Sequence, residues 1–134
     1  MSDPAVLISV RAKLAGIAGL PPIVWPNEEI RTPAPFLIFD NGPTVGTPIT
    51  IDGEERFEFR PQVSLMVDAG TFTASGDATL WAIAQAFKFA TRVDDGAGRF
   101  IARCLQTPVP DNGRPDGAYY RRDMALRIAS DQQI

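Results

Sequence analysis

The sequence contains no histidine and a single cysteine, Cys104. Imidazole is the usual general base near neutral pH and the commonest metal ligand, so Ser-His and Cys-His nucleophiles are excluded. One thiolate and scattered carboxylates make a poor zinc set, and no metal or cofactor is expected. No disulfide can form within the chain, so stability must come from a hydrophobic core or from partner subunits. The sequence also lacks any run of 18 or more apolar residues and any basic segment leading into an apolar core and cleavage site. A soluble, unexported chain without a membrane partner is the expectation. Positive charge is not in excess: thirteen Lys and Arg stand against sixteen Asp and Glu, for a net charge of −3. That balance argues against phosphate-backbone binding as the main function.

Motifs for small-molecule chemistry are missing too. No GxxxxGK[ST] occurs, and Gly96-Ala97-Gly98 leads toward a strand rather than a helix. The acidic pairs Glu28-Glu29, Glu54-Glu55 and Asp94-Asp95 sit beside turn residues, where carboxylates keep loops solvated. Paired carboxylates become catalytic only where burial separates their pKa values. The chain is read as a non-enzyme.

What is present fits one domain over 1–134, with 45% hydrophobic and 22% charged residues. Asp3 as N-cap and Pro4 at the first helical position open a helix over 4–18. Val6, Leu7, Val10, Leu14 and Ile17 form its apolar side, and Gly19 with Pro21-Pro22 ends it. Ile23-Val24-Trp25 is a short extended stretch, and Pro33 and Pro35 precede the strand Phe36–Phe39. Ile49 and Ile51 lead into Asp52-Gly53, a hairpin signal, and the returning arm carries Phe57, Phe59, Val63 and Leu65 at alternate positions. Pro61 falls among these apolar positions and predicts a bulge, or a bend where the arm changes partners.

A second helix is predicted over 74–90, with Thr73 or Ser75 as cap and Leu80, Ile83, Ala84 and Phe87 as its apolar stripe. Trp81 and Phe89 lie on a neighbouring line, which either wraps the core more fully or meets a partner. Two strands come next, 99–106 and 118–129, separated by a loop over 107–117 long enough to suggest a function. In the last strand Tyr119, Arg121, Asp123 and Arg127 share one face, while Arg122 falls among Tyr120, Met124 and Leu126 on the other. Arginines 60, 121, 122 and 127 beside Tyr119 and Tyr120 resemble a nucleic-acid strip. Pairing of these arginines with Glu58 and Asp123 is the favoured reading. The predicted fold is α+β: a two-layer α/β sandwich, with a mostly antiparallel sheet, two helices on one face and a β-hairpin.

Three features carry a family resemblance across almost the whole chain. These are the opening helix ending in Ala18-Gly19-Leu20-Pro21 followed by Val24-Trp25-Pro26-Asn27-Glu28, the long alternating strand with Asp68-Ala69-Gly70-Thr71 before an alanine-rich helix ending in Phe87, and a closing strand introduced by Gly117-Ala118-Tyr119-Tyr120. The sequence resembles the tail terminator (tail completion) proteins of long-tailed bacteriophages and gene transfer agents. The resemblance implies a homo-hexameric ring at the tail-neck junction of a virion, assembled in the host cytoplasm. Such a ring caps the major tail tube protein, stops its polymerisation and receives the head-neck connector protein, while DNA passes through the lumen without specific binding.

The residues expected at subunit or partner contacts are Trp25, Asn27, Glu28, Trp81, Phe89, Pro110, Asn112, Arg114 and Arg122. Arg122 in particular is expected to snorkel at a strand end or to pair across a subunit boundary. Its removal should then weaken assembly more than removal of Arg121. The alternatives are another neck component, such as a head-closure or adaptor protein, and a small ligand-binding module. An enzyme working through carboxylates alone comes last.

Overall fold

In the computed structural model, residues 4–30, 33–48, 54–69, 74–93 and 102–133 are described. Among them the order is α1 (Pro4–Ala15), β1 (Ile23–Val24), β2 (Phe36–Asp40), β3 (Thr44–Pro48), β4 (Glu54–Phe59), β5 (Gln62–Asp68), α2 (Ala74–Ala86), β6 (Ala102–Cys104), β7 (Arg114–Asp116), β8 (Tyr119–Ala125) and β9 (Ile128–Gln133). Several sequence signals fall outside the described residues: Asp3, Ile49, Ile51, Asp52-Gly53, Gly70-Thr71, Thr73, Asp94-Asp95, Gly96-Ala97-Gly98 and the start of the strand predicted from Arg99.

One ladder organises the sheets. β4 pairs with β9 from Glu54↔Gln133 to Phe59↔Ile128, and β5 pairs with β8 from Gln62↔Ala125 to Asp68↔Tyr119. The register is the same on both sides of Arg60-Pro61, and the Leu126 amide donates to the Pro61 carbonyl at 2.8 Å to carry it through. Pro61 therefore marks no bulge. It marks the other predicted event: the arm exchanges β3 for β2 along one side, while β8 and β9 accompany it along the other. Two sheets result, ordered β1-β2-β5-β8-β7 and β3-β4-β9-β6.

The extra residue lies opposite the proline. Asn41, Gly42 and Pro43 span the gap between Asp40↔Gln62 and Thr44↔Phe59, against Arg60 and Pro61 alone on the facing arm. Gly42 takes φ +64°, and a Cβ there would lie 1.9 Å from the Arg60 carbonyl oxygen. Only glycine combines a left-handed backbone with so close an approach. The Gly42 amide is satisfied by Asp40 Oδ1 at 2.9 Å, and the Arg60 amide by the Pro43 carbonyl at 3.1 Å.

Both helices bury their apolar stripes on one face of this surface. Val6, Val10 and Leu14 from α1, and Leu80, Ile83 and Ala84 from α2, meet Leu37, Phe39, Phe57, Phe59, Val63, Leu65, Met124 and Ile128 from the strands. Each fully buried aliphatic side chain contributes about 1.5–3 kcal/mol. The fold is thus α+β, with helices on an antiparallel-dominated surface; among the described residues there are two helices, and only β1 and β2 run parallel. The opposite face carries mixed charge at Arg121, Asp123 and Arg127, as alternation suggests, but it is not wholly polar. Val24, Phe36 and Met66 form a second apolar cluster there, flanked by Ile38 and Tyr119. The unbroken apolar run Phe36–Phe39 serves both faces.

Several boundaries differ from those read in the sequence: the strand expected to end at Gln106 ends at Cys104, and the one expected over 118–129 is divided into β8 and β9 and runs on to Gln133. The first helix stops at Ala15, where Gly16 intervenes and a tighter bond from the Ile17 amide to the Leu14 carbonyl, 3.2 Å, redirects the chain. The second stops at Ala86 because β6 captures the chain beyond it: Ala90 N–H donates to the Cys104 carbonyl at 2.9 Å, and Val93 N–H to that of Ala102 at 2.8 Å. The loop over 107–117 gives way at Arg114–Asp116, which forms β7 against β8 and makes Gly117-Ala118 a hairpin turn.

The packing sets two measurable outcomes. Gly42→Ala is expected to lower the chemical-denaturation free energy by about 2 kcal/mol or more, since a Cβ meets backbone there. Gly19→Ala, at φ +79° but with open space around it, should cost about 1 kcal/mol; equal losses would remove the close-approach explanation. Cys104 is buried in the core, and burial pushes its thiol up to about 11 despite nearby Lys13. Labelling of the native protein by a thiol reagent at pH 8 is expected to track global unfolding, and rapid labelling without denaturant would contradict that placement.

Candidate interaction surface

The Trp25-Pro26-Asn27-Glu28 segment folds as a turn, with the Glu28 amide donating to the Trp25 carbonyl at 3.1 Å and Asn27 at φ +68°. Proline followed by a residue able to take positive φ is the pattern that a type II turn demands. Trp25 is half-buried against Phe39, with ring centroids 5.5 Å apart. The Arg11 guanidinium lies 6.0 Å from the Trp25 ring and 5.6 Å from that of Phe39, and donates to Asn41 Oδ1 at 2.8 Å. α1 thereby fixes the indole from behind the turn. Beside it opens a groove of about 310 Å³, walled by Trp25, Ile30, Ile38 and Phe39 with Glu28 and Asp40 on its rim. Three expected contact residues, Trp25, Asn27 and Glu28, are brought together here.

Trp81 lies on the outer side of α2 and is 65% exposed. Phe89, 67% exposed, does not continue its line. It sits in the turn beyond the helix, where its amide donates to Thr107 Oγ1 at 3.0 Å. Val109, 78% exposed, comes next in the loop that holds Thr107. The structure thus places the two aromatics on separate elements, both open to solvent.

Arg122 is on the helix-covered face, as alternation requires, but its partners are in its own chain. It pairs with Asp77 in the first turn of α2, and its Nε donates to the Asp111 carbonyl at 3.1 Å. No subunit boundary is needed to neutralise it, so the expected contrast between Arg122 and Arg121 in assembly loses its basis. Pro110 is half-buried in the same loop, and the Asn112 carbonyl accepts from Tyr120 Oη at 2.8 Å. These residues pin the loop to β8.

On the face away from the helices, Asp123 gathers a network. Ser64 Oγ donates to it at 2.5 Å, Arg121 Nε at 2.7 Å, and Arg114 pairs with its other oxygen at 2.7 Å. Burial acts to raise the Asp123 carboxyl, but the hydrogen bonds from Ser64, Arg121 and Arg114 outweigh it and hold it at about 2. Arg114, expected at a partner contact, is thus engaged within the chain; so is Arg121, whose pKa is raised first by the Asp123 bond. Arg127 donates to Glu58 at 2.6 Å, and Arg60 pairs with the same carboxylate. The Arg127 bond is the largest cause holding Glu58 below the ordinary carboxylate range. The basic strip is therefore neutralised from within, which leaves little for a phosphate backbone.

A second cavity, of about 430 Å³, lies between the Gly19-Leu20-Pro21 turn, the cis Ala34-Pro35 peptide, β5 and the start of α2. Asp68 and Thr79 are the polar side chains in its lining. Sequence reasoning missed Arg11, Asn41, Ser64 and Asp111. Each acts through a partner far along the chain, and no local spacing announces that.

Acid should release the Asp123 network. A carboxyl held at about 2 against an ordinary 3.8 contributes stability that is complete above about pH 4 and is lost as pH falls toward 2. Asp123→Asn is expected to cost about 2 kcal/mol at pH 7, leaving Arg114 and Arg121 without their shared anion, and to flatten the acid limb of the stability curve. Urea titrations at pH 7, 4 and 2.5 test this; parallel pH profiles for the two proteins would overturn it.

No protein-family model matches the chain, and no curated protein does. Its fold is found among solved structures: one matches 100% of this chain and 98% of its own length at 13% identity, with a TM-score of 0.71. Nothing in that protein's name states a function, and at this identity the likeness is one of fold.

Proposed function

We propose that the chain is a phage tail terminator, a ring-forming structural protein that caps the tail tube, stops its growth and offers a docking surface for the head and neck. The sequence resemblance supplies the family and the six-fold ring. The structural observation that supports the reading is the presence of unlike apolar features open to solvent on different parts of one small domain: the Trp25–Ile30 groove beside β1, and the exposed Trp81 on α2, Phe89 in the turn after it and Val109 in the loop after β6. Unlike patches meeting head to tail generate rings when the rotation closes. Large exposed apolar side chains on a domain whose charged residues are largely paired within the chain favour protein partners over nucleic acid. The second cavity offers few convergent polar groups for a metabolite, so a ligand-binding module is the weaker reading.

Deletion of the gene from its phage is the direct test. Under this reading, electron micrographs show tails of irregular, excessive length without heads. Tails of normal length that lack heads would instead indicate a neck adaptor, and intact particles would overturn any role in tail completion.

A further inference from the structure

The two lateral edges of the molecule differ in charge as well as in position. β2 and β3 lie along one side of the central ladder, and β7 and β6 along the other with residues 90–93 paired outside β6, so β1 and the β6 side lie toward opposite edges. At the β1 edge the apolar groove is rimmed by Glu28 and Asp40. Glu28 is exposed, and among the described residues neither carboxylate has a cationic partner. Asp40 accepts from the Gly42 amide, a contact that leaves its charge in place. The cation beside the groove, Arg11, is taken up by the two rings and Asn41.

The β6 edge is the converse. Arg103 on β6 stands directly opposite Arg92, and both are exposed. The turn carrying Lys88 and Phe89 leads straight into this pairing, since Ala90 bonds the last residue of β6. Neither Lys88 nor Arg103 has a carboxylate partner among the described residues. Phe89 with Lys88 and Arg103, which lack a carboxylate partner among the described residues, is the chemical complement of an apolar groove rimmed by Glu28 and Asp40.

We infer that the groove at the β1 edge, with Trp25, Ile30, Glu28 and Asp40, receives Phe89, Lys88 and Arg103 at the β6 edge of a second copy of this chain in a head-to-tail contact. This rests on the ring reading and deepens it by naming the mating surfaces. Phe89 enters the groove against Trp25 and Ile30, and Lys88 and Arg103 meet Glu28 and Asp40 on the rim. The contact is heterologous, since groove and turn lie on opposite sides of each copy, so every subunit uses both.

A charge-swap experiment tests it. One variant carries Glu28→Lys and Asp40→Asn, the latter keeping the oxygen that accepts from Gly42; the other carries Lys88→Glu and Arg103→Glu. All four positions are exposed, and thermal melts within a few degrees of wild type confirm folding. Each variant alone is expected to need at least tenfold more protein to assemble in sedimentation velocity, because like charges then face each other. An equimolar mixture should regain assembly, in complexes that native mass spectrometry shows to contain both variants in equal number. Added salt should narrow these differences.

If each variant alone assembles as wild type does, or if the mixture gains nothing, the pairing of these two edges is wrong while the ring reading stands. If the wild-type chain stays monomeric both in solution and on purified tail tubes, the ring reading falls and the pairing with it. Capture of the tube protein by the groove, with the Lys88→Glu and Arg103→Glu variant still forming rings, would assign the groove to that partner and overturn the proposal.

Discussion

The ladder between the 54–68 arm and the 119–133 arm is the constraint on which the rest depends. Its register runs unchanged from Glu54↔Gln133 to Asp68↔Tyr119, so every residue on either arm has its face fixed by parity alone. A slip of one residue would turn Phe57, Phe59, Val63, Leu65, Met124 and Ile128 away from both helices. The same parity puts Arg122 under α2 and Asp123 on the far face, and the electrostatics depend on that assignment.

The change of sheet at Arg60-Pro61 gives the surface its two halves without breaking this register. Proline costs little where its arm changes partners, and the strain is taken on the opposite strand, where Gly42 supplies the extra residue and the left-handed backbone. α1 can then reach both halves at once. Its Arg11 extends past the core to hold Trp25 and Asn41, which links helix packing directly to the shape of the groove.

Charge is divided between two tasks. Along the middle of the molecule, Asp123 and Glu58 each bind two arginines, and Asp77 binds Arg122, so these charges fix strands, loop and helix to one another. At the lateral edges, Glu28 and Asp40 on one side and Lys88 and Arg103 on the other keep their charge for solvent or a partner. A net charge of −3 conceals this arrangement, because the sum carries no information about which ions are already paired.

Residue type and short-range period were enough to read the helical stripes, the alternating arm and the far-face set from Tyr119 to Arg127, and the lack of histidine excluded imidazole chemistry. The Trp25-Pro26-Asn27-Glu28 turn has a local cause as well, since proline and asparagine set its backbone angles. Contacts between distant segments settled where α2 stops, that Pro61 bends without a bulge, that Phe89 leaves the line of Trp81, and that Arg114 and Arg122 are satisfied within the chain. In each of those cases a backbone edge or counter-ion from a distant segment overrode the local preference. Such long-range competition leaves no periodic signature along the chain.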